Sequence, residues 1–537
     1  MFIMGVESSY SDFRQNACGR KRFLRRIFQS GFAPKRRKSR YRSAELEVRR
    51  ACLSVKRFGI EEKMTKVRSI FKNDLFYDLL FFAFALLCMT AFIFIQPFGE
   101  GPDEINRFRI VWYIAQNGRL PKGDDPAVLI PGYGGSYAFQ PMLTYILQGY
   151  LLWFLRLFTD RFDVLLVSAR LINALFGLGA AIYVRRLSRL LFPDRLSQWV
   201  FSCLAVFLPQ SIFIHTYVNT DSCAIFSVMM MLTEALGGLR DGFRRPVCIR
   251  LAVGIILCAL SYYNAYGAVI AVIFLFISAF VSRMQAGTIL PDGTAFPKER
   301  FHIHLVPLLK KGLFISAIVL LGAGWWFIRN AVLYHGDFLG ISARNACVAE
   351  TCLPEYHPLL RTTYQGMGVS VFSMVFGTDF FTLLCRSFVA MFGPMNLPTH
   401  YYIYNAYYWL FGIGLIAALI PVGQGLYLTW LDRGHRLFTN AVMVLTCLIP
   451  IFLCVIYSYT WDFQPQGRYL LPMLPAFMYL VTLGEKKAAH LLQSLCDHLK
   501  LRALSSYISA VTGGIVILFT IAALFYSVFL VMVPHYL

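Results

Sequence analysis

The stretch that decides the fold is Leu75–Gln96, LFYDLLFFAFALLCMTAFIFIQ, followed at once by Pro97–Glu104, PFGEGPDE. The apolar part is close to the ~20 residues a helix needs to cross a bilayer. The residues before it are basic: Arg20-Lys21-Arg22, then Lys35-Arg36-Arg37-Lys38. Such clusters stay on the cytoplasmic side, so residues 1–70 read as a basic cytoplasmic arm with the N-terminus inside. Part of it, Arg40–Ile70, can form an amphipathic helix on anionic lipid heads. No apolar core lies near the start, so the arm is not a signal peptide. Pro97–Tyr137, with its Pro102-Asp103-Glu104, then emerges on the outer face.

Working outward, the same alternation carries through residues 71–537. Residues 139–158 are apolar but interrupted by Gln140, Pro141 and Gln148, and read as an interfacial or re-entrant helix. With Val164–Val184 as the second span, Arg185, Arg186 and Arg189 fall inside. Leu196–Tyr217 returns outward and places Asn219 and Asp221 there. Later spans end at Arg240, near Tyr262-Tyr263-Asn264, at Arg283, at Arg329-Asn330, at Asp432–Arg436, at Trp461-Asp462, at Gly484 and near His535. The expectation is an all-α, polytopic bundle of about eleven spans in the cell membrane, with outer loops at 97–138 and 332–400.

Composition agrees. The 537 residues are 57% hydrophobic and 16% aromatic, with mean hydropathy +0.56. A soluble chain would need more polar surface to cover its core. The net charge of +22 sits largely in the arm and in short loops, and no nucleic-acid motif accompanies it, which argues against nucleic acid. The thirteen cysteines are no disulfide framework. Cys88, Cys203, Cys258 and Cys454 lie in apolar runs, where cysteine acts as a small hydrophobe. Cys347 and Cys352 share a polar outer loop and are expected to be able to form a small disulfide. Neither Cys nor His spacing makes a zinc pattern.

The outer face then collects Asp103-Glu104, Asn219 with Asp221, Arg329-Asn330 with Asp337, and Asp462 with Gln466-Gly467-Arg468-Tyr469. Charges at the mouth of an apolar bundle are costly unless paired or used. Sugar transfer needs a base for the acceptor hydroxyl and positive charge for the leaving phosphate. Asp103 or Glu104 suits the first role, Arg468 or Arg329 the second. Asp221 suits orientation, or a divalent cation such as Mg or Mn. Each has a plainer reading. Pro-Asp-Glu is a common helix start, Asp221 can cap a helix, and Trp325-Trp326 look like an interfacial belt. Arg468 can be a structural partner of Asp462, and His215 is more readily a packed histidine than a ligand.

The ordered set Pro102-Asp103-Glu104, Pro209 with Asn219-Thr220-Asp221, Trp325-Trp326-Phe327-Ile328-Arg329-Asn330, Tyr334-His335-Gly336-Asp337 and Gln466-Gly467-Arg468-Tyr469-Leu470-Leu471-Pro472 resembles the GT-C superfamily of membrane glycosyltransferases. Within it, the pattern is most similar to the bacterial predicted membrane protein family known as domain-of-unknown-function family 2142, related to the protein O-mannosyltransferases. The resemblance runs from about Leu75 to Leu530. It implies an inverting transfer from a polyprenyl-phosphate sugar to a glycan, lipid or protein acceptor in cell-surface glycan synthesis. Asp103 and Glu104 would stand at the reaction centre, with Arg468, Arg329, Gln466, Tyr469, Asn330 and Arg107 around the donor and Asp221 and Asn219 behind. Arg107 stands where the family often has His, and Ser261-Tyr262-Tyr263-Asn264 lacks a Lys expected near there. A flippase or transporter, a polysaccharide polymerase or ligase, and a scaffold are the alternatives. Transporters often carry internal repeats, which this sequence lacks, and the Asp-Glu pair directly after the first span favours the transferase.

Overall fold

A computed structural model describes residues 74–284, 300–421 and 425–537. The basic arm, 1–70, lies outside them. Leu80–Leu537 form one compact unit, to which everything below belongs; the described residues before it are the opening turns of the first helix.

The described chain is almost wholly helical. α1 is Asp74–Ile95, α2 Glu104–Asn117, α3 Leu143–Leu155, α4 Phe162–Leu191, α5 Arg195–Phe207 and α6 Pro209–Phe213. There follow α7 (Asp221–Asp241), α8 (Arg245–Ala259), α9 (Gly267–Ser278), α10 (Leu305–Leu333) and α11 (Ile341–Thr351). Further along come α12 (Val371–Gly377), α13 (Phe380–Val389), α14 (Tyr401–Ala418), α15 (Arg433–Thr460), α16 (Leu474–His498) and α17 (Ile508–Tyr526), with single helical turns at Arg502–Ser505 and Val533–Tyr536. Two small antiparallel pairs interrupt them, Val281–Met284 with Arg300–Ile303 and Met391–Phe392 with Leu397–Pro398.

Six helices among the described residues are long and apolar enough to cross a membrane, or up to seven if the bent pair α12–α13 is one span. Eleven were expected. The run read as Leu196–Tyr217 breaks at Leu208 and Pro209 into helices of 13 and 5 residues. α8 and α9 have only 15 and 12 residues. α16 carries Glu485, Lys486 and Lys487 in its middle. The α12–α13 pair lies in what reads from sequence as the long outer loop. α3, with 13 residues, matches the short helix expected over 139–158; at 1.5 Å per residue it falls well short of a ~30 Å hydrocarbon core.

Burial separates the core from the rim. In the apolar stretch of α7, 83% of residues are buried, against 6% in α10. α7 is the central post, packed by α4, α8 and α9, while α10 leaves its flank to lipid. α4 meets its neighbours with small residues: a Cβ on Gly177 would lie 2.7 Å from His215, and one on Gly179 would lie 2.8 Å from Phe226. A second group gathers on α16, which packs on α14, α5 and α17. There Gly414 and Gly484 bring two helix backbones together so closely that a Cβ on Gly414 would be 2.9 Å from the Val481 carbonyl oxygen. Between lipid-embedded helices such close approach supplies the packing that the hydrophobic effect does not.

Candidate functional site

The turn after α1 sets the site. Gly101-Pro102 leads into Asp103, which has φ 61° and ψ 11°, a left-handed conformation that Asp tolerates better than most side chains. Asp103 occupies the N-cap position of α2, yet its carboxylate makes no capping hydrogen bond. It turns instead to Arg468, whose Nη2 donates to Oδ2 at 2.7 Å. Arg107, one turn along α2, lies 3.6 Å from the same oxygen and donates to Asp221 Oδ2 at 2.8 Å. Arg107, Asp221 and Arg468 are all buried, with Asp103 one-third exposed. The result is a chain of alternating charge: Arg468, Asp103, Arg107, Asp221. Burial on its own would raise the Asp103 carboxyl. The charges of Arg468 and Arg107 and hydrogen bonds from Arg468 and Tyr137 outweigh it and hold the group down at about 2.

Arg468 reaches Asp103 because of the glycine before it. A Cβ on Gly467 would sit 2.0 Å from the Phe388 backbone nitrogen. The Gly467 amide donates to Ser387 Oγ at 2.7 Å, and the Tyr469 carbonyl accepts from Asn264 Nδ2 at 2.6 Å. The Gln466–Tyr469 turn is thereby pinned between α13 and the turn after α8. Arg468 also leans on the Tyr469 ring, 5.1 Å from its centroid.

Asp103 and Arg468 open into one cavity of about 1020 Å³, lined also by Asn106, Tyr137, Gln466 and Tyr469. Six tyrosines and Trp461 line it in all. Such a wall offers flat apolar faces beside hydroxyl and amide groups, the mixture that holds a polar organic ligand.

The other expected site residues fall elsewhere. Glu104 is fully buried and faces away from the cavity. Arg170 Nε and Nη2 grip its two oxygens at 2.8 and 2.7 Å, and the amides of Gly99 and Val218 donate at 3.1 Å each. Its lone pairs are committed, so it braces the turn and has none left for an acceptor proton. Arg329 is not at the cavity either. Its Nη2 donates to the Pro121 carbonyl at 2.6 Å, and its guanidinium lies over Trp326. Asn330 is buried and donates to the Phe139 carbonyl at 3.3 Å. Tyr334 Oη accepts from the Gly123 amide at 2.8 Å, and Asp337 accepts from the amides of Gly340 and Ala343. These residues tie the 118–140 segment to α10 and α11, shaping a wall of the cavity rather than binding within it.

Asn219 is also spent internally. Its side chain donates to the Ile214 and Tyr217 carbonyls and accepts from the Ser222 amide. Asp221 opens α7 as the partner of Arg107; the N-cap position belongs to Thr220, whose side chain makes no capping hydrogen bond. Cys347 and Cys352 are free thiols. Cys347 lies within α11 and Cys352 directly follows its last residue, and at 3.6 residues per turn a spacing of five turns their side chains well apart. Among the described residues no group of three or more His, Cys, Asp and Glu can hold a metal ion. The donor set does not suit one, since Arg107 stands between the two carboxylates and already neutralises them.

Reading from sequence missed Arg170, Tyr137, Asn106, Arg344 and Arg361. For Arg170 a signal existed, because a charge in the middle of an apolar span is costly and must have a partner. Asn106 lies on α2 and Arg344 on α11, while Tyr137 and Arg361 belong to short turns; which of them face the cavity depends on tertiary packing that no spacing reveals.

Among solved structures, the chain is similar to the oligosaccharyltransferase of Archaeoglobus fulgidus in its apo form, at 13% identity and TM-score 0.43, over 83% of this chain and 56% of that one. It is also similar to ArnT from Cupriavidus metallidurans bound to undecaprenyl phosphate, at 14% identity and TM-score 0.47, over 85% of this chain and 78% of that one. The chain therefore spans little more than half the length of the archaeal protein. No family model matches it, and no curated protein does.

Proposed function

We propose that this protein transfers a sugar from a polyprenyl-phosphate donor to an acceptor hydroxyl at the extracytoplasmic face, with inversion. The observation that carries the reading is the Asp103–Arg468 pair, opening from a buried charge chain into an aromatic-lined cavity of about 1020 Å³. The ordered motifs of the sequence lend it further support.

In this reaction the acceptor oxygen attacks the anomeric carbon from the side opposite the phosphate. The carbon–oxygen bond to phosphate breaks, and the polyprenyl phosphate leaves with the bonding electrons. The acceptor proton passes to Asp103. Arg468, a planar fork suited to phosphate oxygens, takes up the charge that develops on the leaving group. At rest the two groups oppose their own roles. A carboxylate held at about 2 by its arginines is a poor proton acceptor near neutral pH, because a useful base titrates near the working pH. A donor phosphate on Arg468 competes for the guanidinium and adds a negative charge nearby. Both effects raise Asp103 toward the range in which it can accept a proton. Donor binding thus arms the base. The second carboxylate, Asp221, holds Arg107 in place, and Gln466 and Tyr469 flank the sugar.

The test is a membrane-vesicle assay with radiolabelled polyprenyl-phosphate sugars. Asp103→Asn should lower turnover by about 10²–10⁴-fold, the scale of lost general-base help, with the protein still folded. Full turnover in Asp103→Asn would overturn the assignment, and vesicles that move the lipid-linked sugar without transferring it would favour a flippase.

A further inference from the structure

Five charged residues line the cavity: Asp103, Asp462, Arg344, Arg361 and Arg468. Arg468 has its carboxylate. Among the described residues, Arg344 and Arg361 have none within ion-pair distance. Arg344 stands on α11, and Arg361 directly follows the turn Pro358–Leu360. Both come from the segment after α10, a different wall from the one that carries Asp103. Asp462, the other acid on the lining, accepts from Gln464 Nε2 at 2.9 Å and pairs with neither arginine.

Arg361 lies over the Tyr133 ring, 4.7 Å from its centroid. That contact fixes the guanidinium plane but uses none of its N–H groups. Its Nη2 is buried and has no hydrogen-bond partner. Buried donors in folded proteins are almost always satisfied, and this one is open to an acceptor that enters the cavity. Two guanidinium groups on the lining of one cavity, neither with a carboxylate within ion-pair distance among the described residues, leave that wall positively charged. Such a pair matches the oxygens of a carboxylate or a phosphate. Around it, Tyr133, Tyr457 and Trp461 supply flat faces, and Asn345 and Gln464 supply amides, on the same lining. That surrounding suits a saccharide rather than a bare ion.

We propose that Arg344 and Arg361 form an anion subsite for the acceptor, which is an acidic saccharide carrying a carboxylate or phosphate. The proposal rests on the transfer reading above, since it assigns the second wall of the cavity to the second substrate. An uncharged acceptor would leave both guanidiniums without a partner.

The experiment is calorimetric titration of the purified full-length chain in detergent. The probes are methyl glucuronide against methyl glucoside, and glucose 6-phosphate against glucose. In at least one pair the charged member should bind tighter by about tenfold or more, the scale of a hydrogen bond between charged groups. Arg344→Gln with Arg361→Gln should erase that preference. Arg344→Lys with Arg361→Lys should keep part of it, which separates lost charge from lost fold. Arg468→Gln should leave it in place.

Equal affinity within both pairs overturns the proposal. So does a preference erased by Arg468→Gln and not by the outer pair. A third arm compares polyprenyl monophosphate with polyprenyl diphosphate. If the Gln pair selectively abolishes a preference for the diphosphate, the anion belongs to the donor and the acceptor assignment falls. Monophosphate binding indifferent to Arg468→Gln, with the saccharide preference intact, sinks the transfer reading and leaves the anion subsite standing.

Discussion

Asp103 and Glu104 are neighbours in sequence, and each is gripped by an arginine, yet the two regions they anchor do different work. Glu104 is enclosed, with Arg170 on both oxygens and two backbone amides behind. Asp103 has one oxygen on Arg468 and stays one-third exposed to the cavity. The same chemistry, carboxylate with guanidinium, is a brace in one place and a candidate reaction centre in the other. What separates them is whether any polar capacity is left for an outside molecule. The comparison stands or falls on a small set of substitutions.

The largest effect belongs to the brace. Arg170 also donates to the carbonyls of Ile93, Gln96 and Pro97, so it joins the end of α1 to α4 as well as to Glu104. Arg170→Ala leaves a buried carboxylate without its counter-charge and takes a donor from three carbonyls. It should cost about 3–5 kcal/mol, as expected for breaking a buried pair from one side. Thermal unfolding of the detergent-purified protein would read this as a large drop in Tm. Asp103→Asn should change Tm far less. Equal losses from the two substitutions would erase the distinction between brace and centre.

Gly467→Ala comes next. Its new methyl group would meet the α13 backbone, not a side-chain tip that can swing away. Overpacking of this kind costs about 1–3 kcal/mol, and relief requires the turn to move and Arg468 with it. Transfer activity should therefore fall together with Tm. Unchanged activity would mean that the position of Arg468 does not matter.

The fold was legible where apolar length and basic flanks act together, as at Asp74–Ile95, Phe162–Leu191 and Arg433–Thr460. It was less legible where tertiary packing lets a helix be short: α8 and α9 lie against the buried α7, and hydropathy cannot tell a short buried helix from a span. The site was half legible. The turn residues Asp103 and Arg468 carry charge into an apolar setting, and that is visible in a sequence. Direction is not. Nothing in Pro-Asp-Glu tells which acid faces the cavity, because that depends on the left-handed backbone at Asp103. Likewise Arg329 looked as eligible as Arg468, and only the fold reveals that the Pro121 carbonyl takes its guanidinium.

Arg329 gives a smaller, sharper test of the same division. Arg329→Gln removes one hydrogen bond to a backbone carbonyl and a stacked contact on Trp326. The loss should be about 1 kcal/mol, visible as a modest fall in Tm with donor affinity retained. The opposite pattern, unchanged Tm with weakened binding of a polyprenyl phosphate, would move Arg329 from the wall into the site.

The smallest effect is the pH response of Asp103 itself, and its sign is fixed. The carboxyl is held at about 2 in the folded protein, against roughly 3.9 in an unfolded chain. A depressed carboxyl contributes stability above its unfolded value and loses it as the pH falls through the folded one. The Tm difference between the parent and Asp103→Asn should therefore be constant above about pH 5 and close between roughly pH 4 and pH 2. Because the side chain is one-third exposed, solvent screening keeps the amplitude small. Kinetics reads the same group in a second way. The profile of kcat/KM reports the free enzyme, so it should show no acid limb from Asp103 near neutral pH, whereas kcat, which reports the donor-bound state, should show one displaced upward. An acid limb near pH 6 in kcat/KM that disappears in Asp103→Asn would mean that Arg468 and Arg107 do not hold the carboxylate down before the donor arrives. The contrast with Glu104 would then lie in position alone, not in charge.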